Sequence, residues 1–261
     1  TGGMNAMIVD SSALTEQVVV DVLASAFDSA GQRCSALRVL CLQDDVADHT
    51  LKMLRGAMAE CRMGNPGRLT TDIGPVIDAE AKANIENHIQ TMRAKGRPVF
   101  QAVRENSEDA REWQTGTFVP PTLIELASFD ELKKEVFGPV LHVVRYNRNN
   151  LNELIDQINA SGYGLTLGVH TRIDETIAQV TGTAKVGNLY VNRNMVGAVV
   201  GVQPFGGEGL SGTGPKAGGP LYLYRLLANR PENALGVTLA RQDAEYPVDA
   251  QVKAVLTQPL D

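Results

Sequence analysis

The chain has 261 residues, of which 43% are hydrophobic and 21% charged, a composition typical of soluble globular proteins. This length fits one large or two smaller α/β domains with a proper core. A formal net charge of -6 disfavours nucleic-acid binding. No apolar run approaches the ~20 residues of a membrane span, and no signal peptide is recognisable. Three cysteines without paired spacing indicate free thiols in a reducing compartment, so we expect a cytoplasmic protein.

Hydrophobic spacing predicts strands and helices that alternate along the chain. Residues 118–126 are expected to form an edge or entry segment because two prolines interrupt them, and residues 105–113 form a polar excursion. The alternation predicts an α/β domain built as a three-layer, open, largely parallel sheet with helices on both faces and right-handed crossovers. The predicted strands are 5–9, 38–42, 98–103, 140–146, 165–170 and 187–192, and the predicted helices are 14–27, 44–61, 79–94, 151–160 and 174–183.

The segment from Ser29 to Ala36 presents a cysteine in the way that suits a nucleophile. A predicted helix ends shortly before Gly31, and Cys34 follows between Arg33 and Ser35. The thiolate is the reactive form, and a free Cys is only a few per cent ionised at neutral pH. Arg33 would favour the thiolate, whereas the C-terminal end of the preceding helix would oppose it, so the resting charge stays open. Cys34 is the candidate nucleophile, and the alternative is a small buried residue.

The other cysteines and one histidine receive structural interpretations. Cys41 lies inside a predicted buried strand, and Cys61 lies on the packing face of a predicted helix. His88 lies on the flank of the third predicted helix with no other His or Cys in register. We therefore expect His88 to be a surface residue, and no metal site is predicted.

A glycine pattern near the end of the chain imitates a dinucleotide-binding fingerprint. Residues 207–212 read G-x-G-x-x-G and follow an apolar run, but Pro204-Phe205-Gly206 interrupts the expected strand and turn. Gly214-Pro215 and the glycines at 218 and 219 prevent a helix from beginning after the third glycine. The segment is interpreted as a shaped loop that approaches a ligand or partner, with a purely structural loop as the alternative.

Four stretches together resemble the NAD(P)-dependent aldehyde dehydrogenase superfamily. They are Thr1-Gly2-Gly3-Met4-Asn5, Gly31-Gln32-Arg33-Cys34, Glu135-Val136-Phe137-Gly138-Pro139, and Pro204-Phe205-Gly206-Gly207 with Ser211-Gly212. They occur in the family's order and approximate spacing, and the resemblance covers about residues 1–225. Residues 197–201 and 212–220 resemble more specifically the 1-pyrroline-5-carboxylate dehydrogenase module of the bifunctional proline utilization A proteins.

This resemblance implies NAD-dependent oxidation of L-glutamate γ-semialdehyde, formed from 1-pyrroline-5-carboxylate, to L-glutamate, the second step of proline catabolism. Cys34 would form a thiohemiacetal and then a thioester, and its backbone N–H would contribute to an oxyanion hole. Glu135 matches the family residue that holds the nicotinamide ribose, and Phe137 matches the aromatic residue beside the nicotinamide ring. Without the family, Glu135 reads as part of a solvated charge run, and a core aromatic is the alternative for Phe137.

The resemblance also implies a set of substrate contacts. The Ser35 hydroxyl and the backbone of Gly197 and Ala198 would hold the substrate's carboxylate and amine, because backbone N–H groups donate to a carboxylate without a counter-charge. Phe205 would pack on the aliphatic stem, and a core aromatic is the alternative for it.

Three segments follow from this comparison. Residues 1–192 are expected to be the catalytic domain, residues 193–230 its anchor loop and C-terminal segment, and residues 231–261 a linker. The family's general base, a Glu ahead of the Gly-Gly pair, would precede Thr1, and the cofactor domain would lie upstream. We therefore expect a catalytic part that does not turn over alone.

NAD is the expected cofactor, and FAD would belong only to a separate proline dehydrogenase domain of the parent protein. The expected partners are the small-molecule substrate, the rest of the parent polypeptide and further copies in a homo-oligomer. Two alternatives stay open: a reductive or acylating relative of the same fold, and a non-catalytic scaffold or assembly module.

Overall fold

A seven-stranded sheet organises the protein, whose computed structural model describes residues 2–103, 113 and 115–227. The strand order is β3-β4-β5-β2-β1-β7-β8, and every neighbouring pair is parallel except β3 and β4. A second sheet pairs β6 with β9 in antiparallel fashion. The strands are β1 Ala6–Val9, β2 Val39–Gln43, β3 Val99–Gln101, β4 Thr122–Glu125, β5 Val140–Tyr146, β6 Tyr163–Gly164, β7 Thr166–His170, β8 Asn188–Val191 and β9 Glu208–Gly209.

Five α-helices with defined bounds lie in the described ranges, and these bounds follow the predicted ones closely. Asp78 caps α3, since its carboxylate accepts a hydrogen bond of 2.8 Å from the Ala81 N–H. Two aspartates in the first turn of α2 favour the positive end of its dipole. The helices are α1 Thr15–Phe27, α2 Asp44–Glu60, α3 Ala79–Ala94, α4 Leu151–Ala160 and α5 Asp174–Thr183.

The central strands are buried on both faces, which requires a layer of helices on each side. Every residue of β1, β2 and β7 is buried. Helices α1 and α2 pack against each other and against the sheet. The chain then returns from β5 to β7 in the opposite direction across the sheet, so a right-handed crossover places α4 on the other face. The predicted α/β class with a largely parallel sheet is confirmed.

Parallel pairing brings the beginnings of four strands to one edge of the sheet. Ala6 of β1 is in register with Val39 of β2 and with Leu167 of β7, and Val39 is in register with His142 of β5. The residues that precede or open these strands therefore converge there. They are Asn5, Arg38, Gly138 and Thr166.

The chain divides into two compact units. The first comprises Thr1–Gly197 and Gly207–Gly212, and the second comprises Ala198–Gly206 and Thr213–Asp261. The linker expected at 231–261 and most of the polar excursion expected at 105–113 lie outside the described residues. None of the helices in the described ranges is both long and apolar enough to cross a membrane.

Candidate active site

Cys34 is exposed on a loop that leaves α1 through a left-handed turn. Ser29, Ala30 and Gly31 have φ of 56°, 54° and 65°, so three successive residues occupy the left-handed region. This conformation costs about 1–2 kcal/mol for each residue that carries a Cβ. A backbone held this way must be stabilised by its surroundings, and such strain is concentrated at functional sites.

Asn5 holds the far side of the Cys34 loop. Its buried side-chain Nδ2 donates to the carbonyl oxygens of Cys34 at 2.7 Å and Ala36 at 2.9 Å. Its Oδ1 accepts from the backbone N–H of Thr166 at 3.2 Å. The Ala36 N–H donates to the Arg33 carbonyl at 3.1 Å and closes a turn around Cys34. One amide side chain thus ties the loop to the beginnings of β1 and β7.

Arg38 joins the same loop to Glu135. Its guanidinium is fully buried and lies 3.0 Å from Glu135 Oε1, and it also donates to the Arg33 carbonyl at 3.1 Å. Burial lowers the pKa of Arg38, while the Glu135 carboxylate and, more weakly, a negative charge at Cys34 raise it. A buried arginine therefore hydrogen-bonds to the backbone of the cysteine loop. The side chain of Arg33, which the sequence suggests for this role, donates through Nε to Ser29 Oγ at 3.0 Å.

A cavity of about 510 Å³ lies beside Glu135 and Phe137. Gln32, two residues before Cys34, lines it together with both of these side chains and with one face of α3. The second carboxylate oxygen of Glu135 accepts from the Gly3 N–H at 3.1 Å, and the side chain is 14% exposed. Phe137 is 46% exposed, so it is not a core aromatic. A carboxylate that accepts from ribose hydroxyls and an accessible aromatic face suit the nicotinamide end of a dinucleotide.

His88 is not the lone surface residue that the sequence predicts. Its Nε2 lies 2.9 Å from Nε2 of His142, which is buried in β5. Nδ1 of His142 faces the Arg38 carbonyl oxygen at 3.1 Å, and because that oxygen only accepts, His142 carries its proton on Nδ1. His88 is then the donor in the pair. Burial lowers the pKa of His142 to about 3, and burial also lowers that of His88.

The interpretations of the other two cysteines are confirmed. Cys41 is fully buried in β2, and burial raises the pKa of its thiol to about 12. Cys61 is half-buried, packs against the core, and its sulfur lies 3.7 Å from the Ala57 carbonyl oxygen. Cys41 lies inside β2 and Cys61 is half-buried directly after the end of α2, so Cys34 is the exposed thiol among the three.

The predicted substrate residues lie on different parts of the chain. Ser35 is 7% exposed, and its carbonyl oxygen accepts from Thr166 Oγ1 at 3.5 Å. Gly197, at a φ of 77° with open space around it, is the last residue of the first unit before the chain enters the second. Ala198 and Phe205 belong to the second unit, where the backbone of Phe205 pairs with Ala217. Their role in substrate binding stays a prediction.

The chain matches the model of the aldehyde dehydrogenase family over residues 1–228. It belongs to this family. It is 92% identical over its whole length to the bifunctional protein PutA of Escherichia coli K12 and covers 20% of that protein. A crystal structure of a bifunctional proline utilization A protein matches with 54% identity and a TM-score of 0.79, over 85% of this chain and 22% of the other. A Thermus 1-pyrroline-5-carboxylate dehydrogenase with bound NAD matches with 34% identity and a TM-score of 0.74, over 84% of this chain and 41% of the other. The chain thus spans about a fifth of the PutA relatives it matches.

In this member of the aldehyde dehydrogenase family, the glycine segment at 207–212 belongs to the first unit, and its approach to a ligand or partner stays a prediction. β9 pairs with β6, and Ser211 Oγ accepts from the Gly164 N–H at 3.1 Å and donates to the Gly2 carbonyl at 2.6 Å. In the described chain beyond Gly212, only a short 3-10 turn at Leu223–Leu226 has helical form. The sequence predicts that no phosphate-binding helix begins at the third glycine, and none begins there in the structure.

Sequence reasoning missed Asn5 and Arg38 as functional residues. One signal was available, because Arg38 directly precedes the apolar residues of β2, and a charged residue at the beginning of a buried strand needs partners. Two of those partners, Glu135 and Gly138, lie about a hundred positions away, which local patterns do not reveal.

Proposed function

We propose that this chain supplies the nucleophile and the cofactor-facing carboxylate for NAD-dependent oxidation of L-glutamate γ-semialdehyde to L-glutamate. The observation that carries the proposal is the shared cavity: Gln32 of the Cys34 loop, Glu135 and Phe137 line it together. Relatives named 1-pyrroline-5-carboxylate dehydrogenase, one with bound NAD, support the substrate and the cofactor.

Cys34 carries the covalent chemistry in this proposal. Its sulfur attacks the aldehyde carbon, a C–S bond forms, and the carbonyl electron pair becomes an alkoxide that backbone N–H groups stabilise. Loss of hydride from that carbon converts the thiohemiacetal to a thioester. Water then attacks the thioester, the C–S bond breaks, and glutamate and the free thiol are released.

Glu135 and Phe137 would hold the nicotinamide end of the cofactor. The Glu135 carboxylate is already oriented by Arg38 and by the Gly3 N–H, so little of its position is left to be fixed on binding. NAD bound there would supply the hydride acceptor. Ser35, Gly197, Ala198 and Phe205 remain the proposed substrate contacts, each on the strength of the family resemblance.

Activity is best measured in the full-length protein, because the chain spans about a fifth of its PutA relatives. Wild type is expected to reduce NAD when 1-pyrroline-5-carboxylate is added, without any need for coenzyme A. Cys34→Ser should lower kcat by on the order of 10⁴-fold or more, the scale of losing a nucleophile. Cys61→Ser, which changes a packing thiol, is the matched control.

Three results would each contradict a part of the proposal. Activity retained in Cys34→Ser would show that Cys34 is not the nucleophile. Product release that requires coenzyme A would favour an acylating relative. A folded wild-type protein that neither oxidises the semialdehyde nor reduces NAD would favour a scaffold.

A further inference from the structure

Each of the three side-chain nitrogens of Arg38 has a partner inside the protein. Nε and Nη2 bind Glu135 Oε1 at 3.1 and 3.0 Å, and Nη2 also donates to the Arg33 carbonyl at 3.1 Å. Nη1 donates to the carbonyl oxygens of Gly31 at 2.7 Å and Gly138 at 3.2 Å. The side chain is 0% exposed. A fully paired guanidinium of this kind defines the relative positions of all its acceptors.

The acceptors belong to two separate loops. Gly31 and Arg33 lie on the Cys34 loop, and Glu135 and Gly138 lie on the loop that enters β5. The two loops also contact directly, since a Cβ on Gly31 would collide with the Gly138 carbonyl oxygen. The Phe137 ring lies 5.0 Å from the Arg38 guanidinium carbon. One cation therefore touches the loop of the nucleophile and both proposed cofactor contacts.

Simple stabilisation does not explain a charge at this place. Desolvating a guanidinium is expensive, and well-packed apolar residues often replace a buried ion pair without loss of stability. An attested benefit of some buried, multiply bonded charges is the registry that they impose on their partners.

We propose that Arg38 is a positioning residue that holds the Cys34 loop and the Glu135 carboxylate in one rigid frame, so that nucleophile and cofactor meet in a reactive arrangement. This inference rests on the proposed function for its consequence in catalysis. The frame itself is a property of the loops and can be measured separately.

Arg38→Lys in the full-length protein is the main test. Lysine keeps the charge but has three donors on a single nitrogen, so it cannot span both loops. We expect kcat to fall about 100-fold, which is the loss that a misplacement of about 1 Å can cause. We also expect the alkylation rate of Cys34 by iodoacetamide to change at least fivefold. Arg97→Lys, which alters the partly exposed pair with Glu131 at 2.9 Å, should leave both rates unchanged.

A double-mutant cycle separates positioning from general destabilisation. Arg38→Gln and Glu135→Gln should each raise the KM for NAD, and the double variant should raise it by much less than the product of the two factors. A merely structural role would lower the folded fraction and leave the KM and the labelling rate of the folded molecules at wild-type values, which would overturn the proposal.

The labelling measurement keeps the two proposals distinguishable. If wild type does not oxidise the semialdehyde, the proposed function fails, and the Cys34 labelling rate still reports on the frame. If Arg38→Lys does not fold, Glu135→Gln serves as the second variant. It keeps the side-chain volume but removes the charge that pairs with Arg38, so it weakens the same frame from the other loop. An unchanged Cys34 labelling rate in folded Glu135→Gln would then overturn the inference.

Discussion

Gly31→Ala is expected to disturb the nucleophile loop more than any equally small change elsewhere. Gly31 has a φ of 65°, so an alanine there costs about 1–2 kcal/mol from the backbone alone. Its Cβ would also lie 2.8 Å from the Ala26 carbonyl oxygen, and closer still to that of Gly138. Relieving the first contact to an ordinary ~3.4 Å needs about 0.6 Å of movement, and the second needs more.

This displacement falls on the turn that precedes Cys34 and on the Gly31 carbonyl that binds Arg38. A shift approaching 1 Å should lower kcat by about 10- to 100-fold. The assay is steady-state NAD reduction in the full-length protein, with Cys34 alkylation as a second readout.

Gly96→Ala is the matched control. Gly96 has a φ of 73° with nothing within 4 Å of its Cβ position, so an alanine there has a similar backbone cost but no collision. Both variants should lose stability from the backbone, Gly31→Ala should lose more because of its collisions, and only Gly31→Ala should lose activity. The steric reasoning would be refuted if Gly31→Ala kept kcat within about twofold of Gly96→Ala.

Two further predictions follow from the buried groups. At pH 8 a thiol with a pKa of about 12 is a thiolate in about one part in 10⁴, so iodoacetamide should label Cys34 long before Cys41, with half-buried Cys61 between them. Peptide mapping by mass spectrometry measures this order, and equal rates would contradict it. Burial lowers the pKa of His142 from 6.5 in the unfolded chain to about 3 in the folded protein. The stability that this gives is fully present above pH 6.5, and it is lost as the pH falls toward 3, because the unfolded chain then binds a proton that the folded protein does not. Between pH 7 and pH 5, the free energy of unfolding should therefore fall by about 2 kcal/mol more in wild type than in His142→Gln, as measured by thermal unfolding. Equal decreases in the two proteins would count against a neutral His142.

Local patterns were sufficient for most of the fold. The predicted bounds of α3, β5, α4 and α5 agree with the structure at both ends. These elements have clear periodicity and clear ends, such as the Asp78 cap, and both signals depend on neighbouring residues only. The prediction for His88 was wrong because its partner, His142, lies on a strand 54 positions away.

The residues of the candidate active site could be predicted only in part, because some of their partners are also distant in the chain. Cys34 could be singled out from Gly31 and the polar residues around it, and its exposure argues against the alternative of a small buried residue. Its role as the nucleophile stays a prediction. Glu135 and Phe137 came from family resemblance, and the structure adds that they line a cavity with Gln32. Asn5 lay in the Thr1–Asn5 stretch without an assigned role and Arg38 lay in no motif, yet both hold the Cys34 loop.

The sequence by itself determined where strands and helices form and which cysteine is presented on a loop, because hydrophobic period, caps and glycines act over a few residues. Only the tertiary structure decided that Asn5, Arg38 and Gly138 converge. That convergence comes from the parallel register of β1, β2 and β5, which places the beginnings of strands distant in the chain side by side. Every side-chain nitrogen of the buried Arg38 guanidinium then finds a partner there, and the candidate site lies where these partners meet.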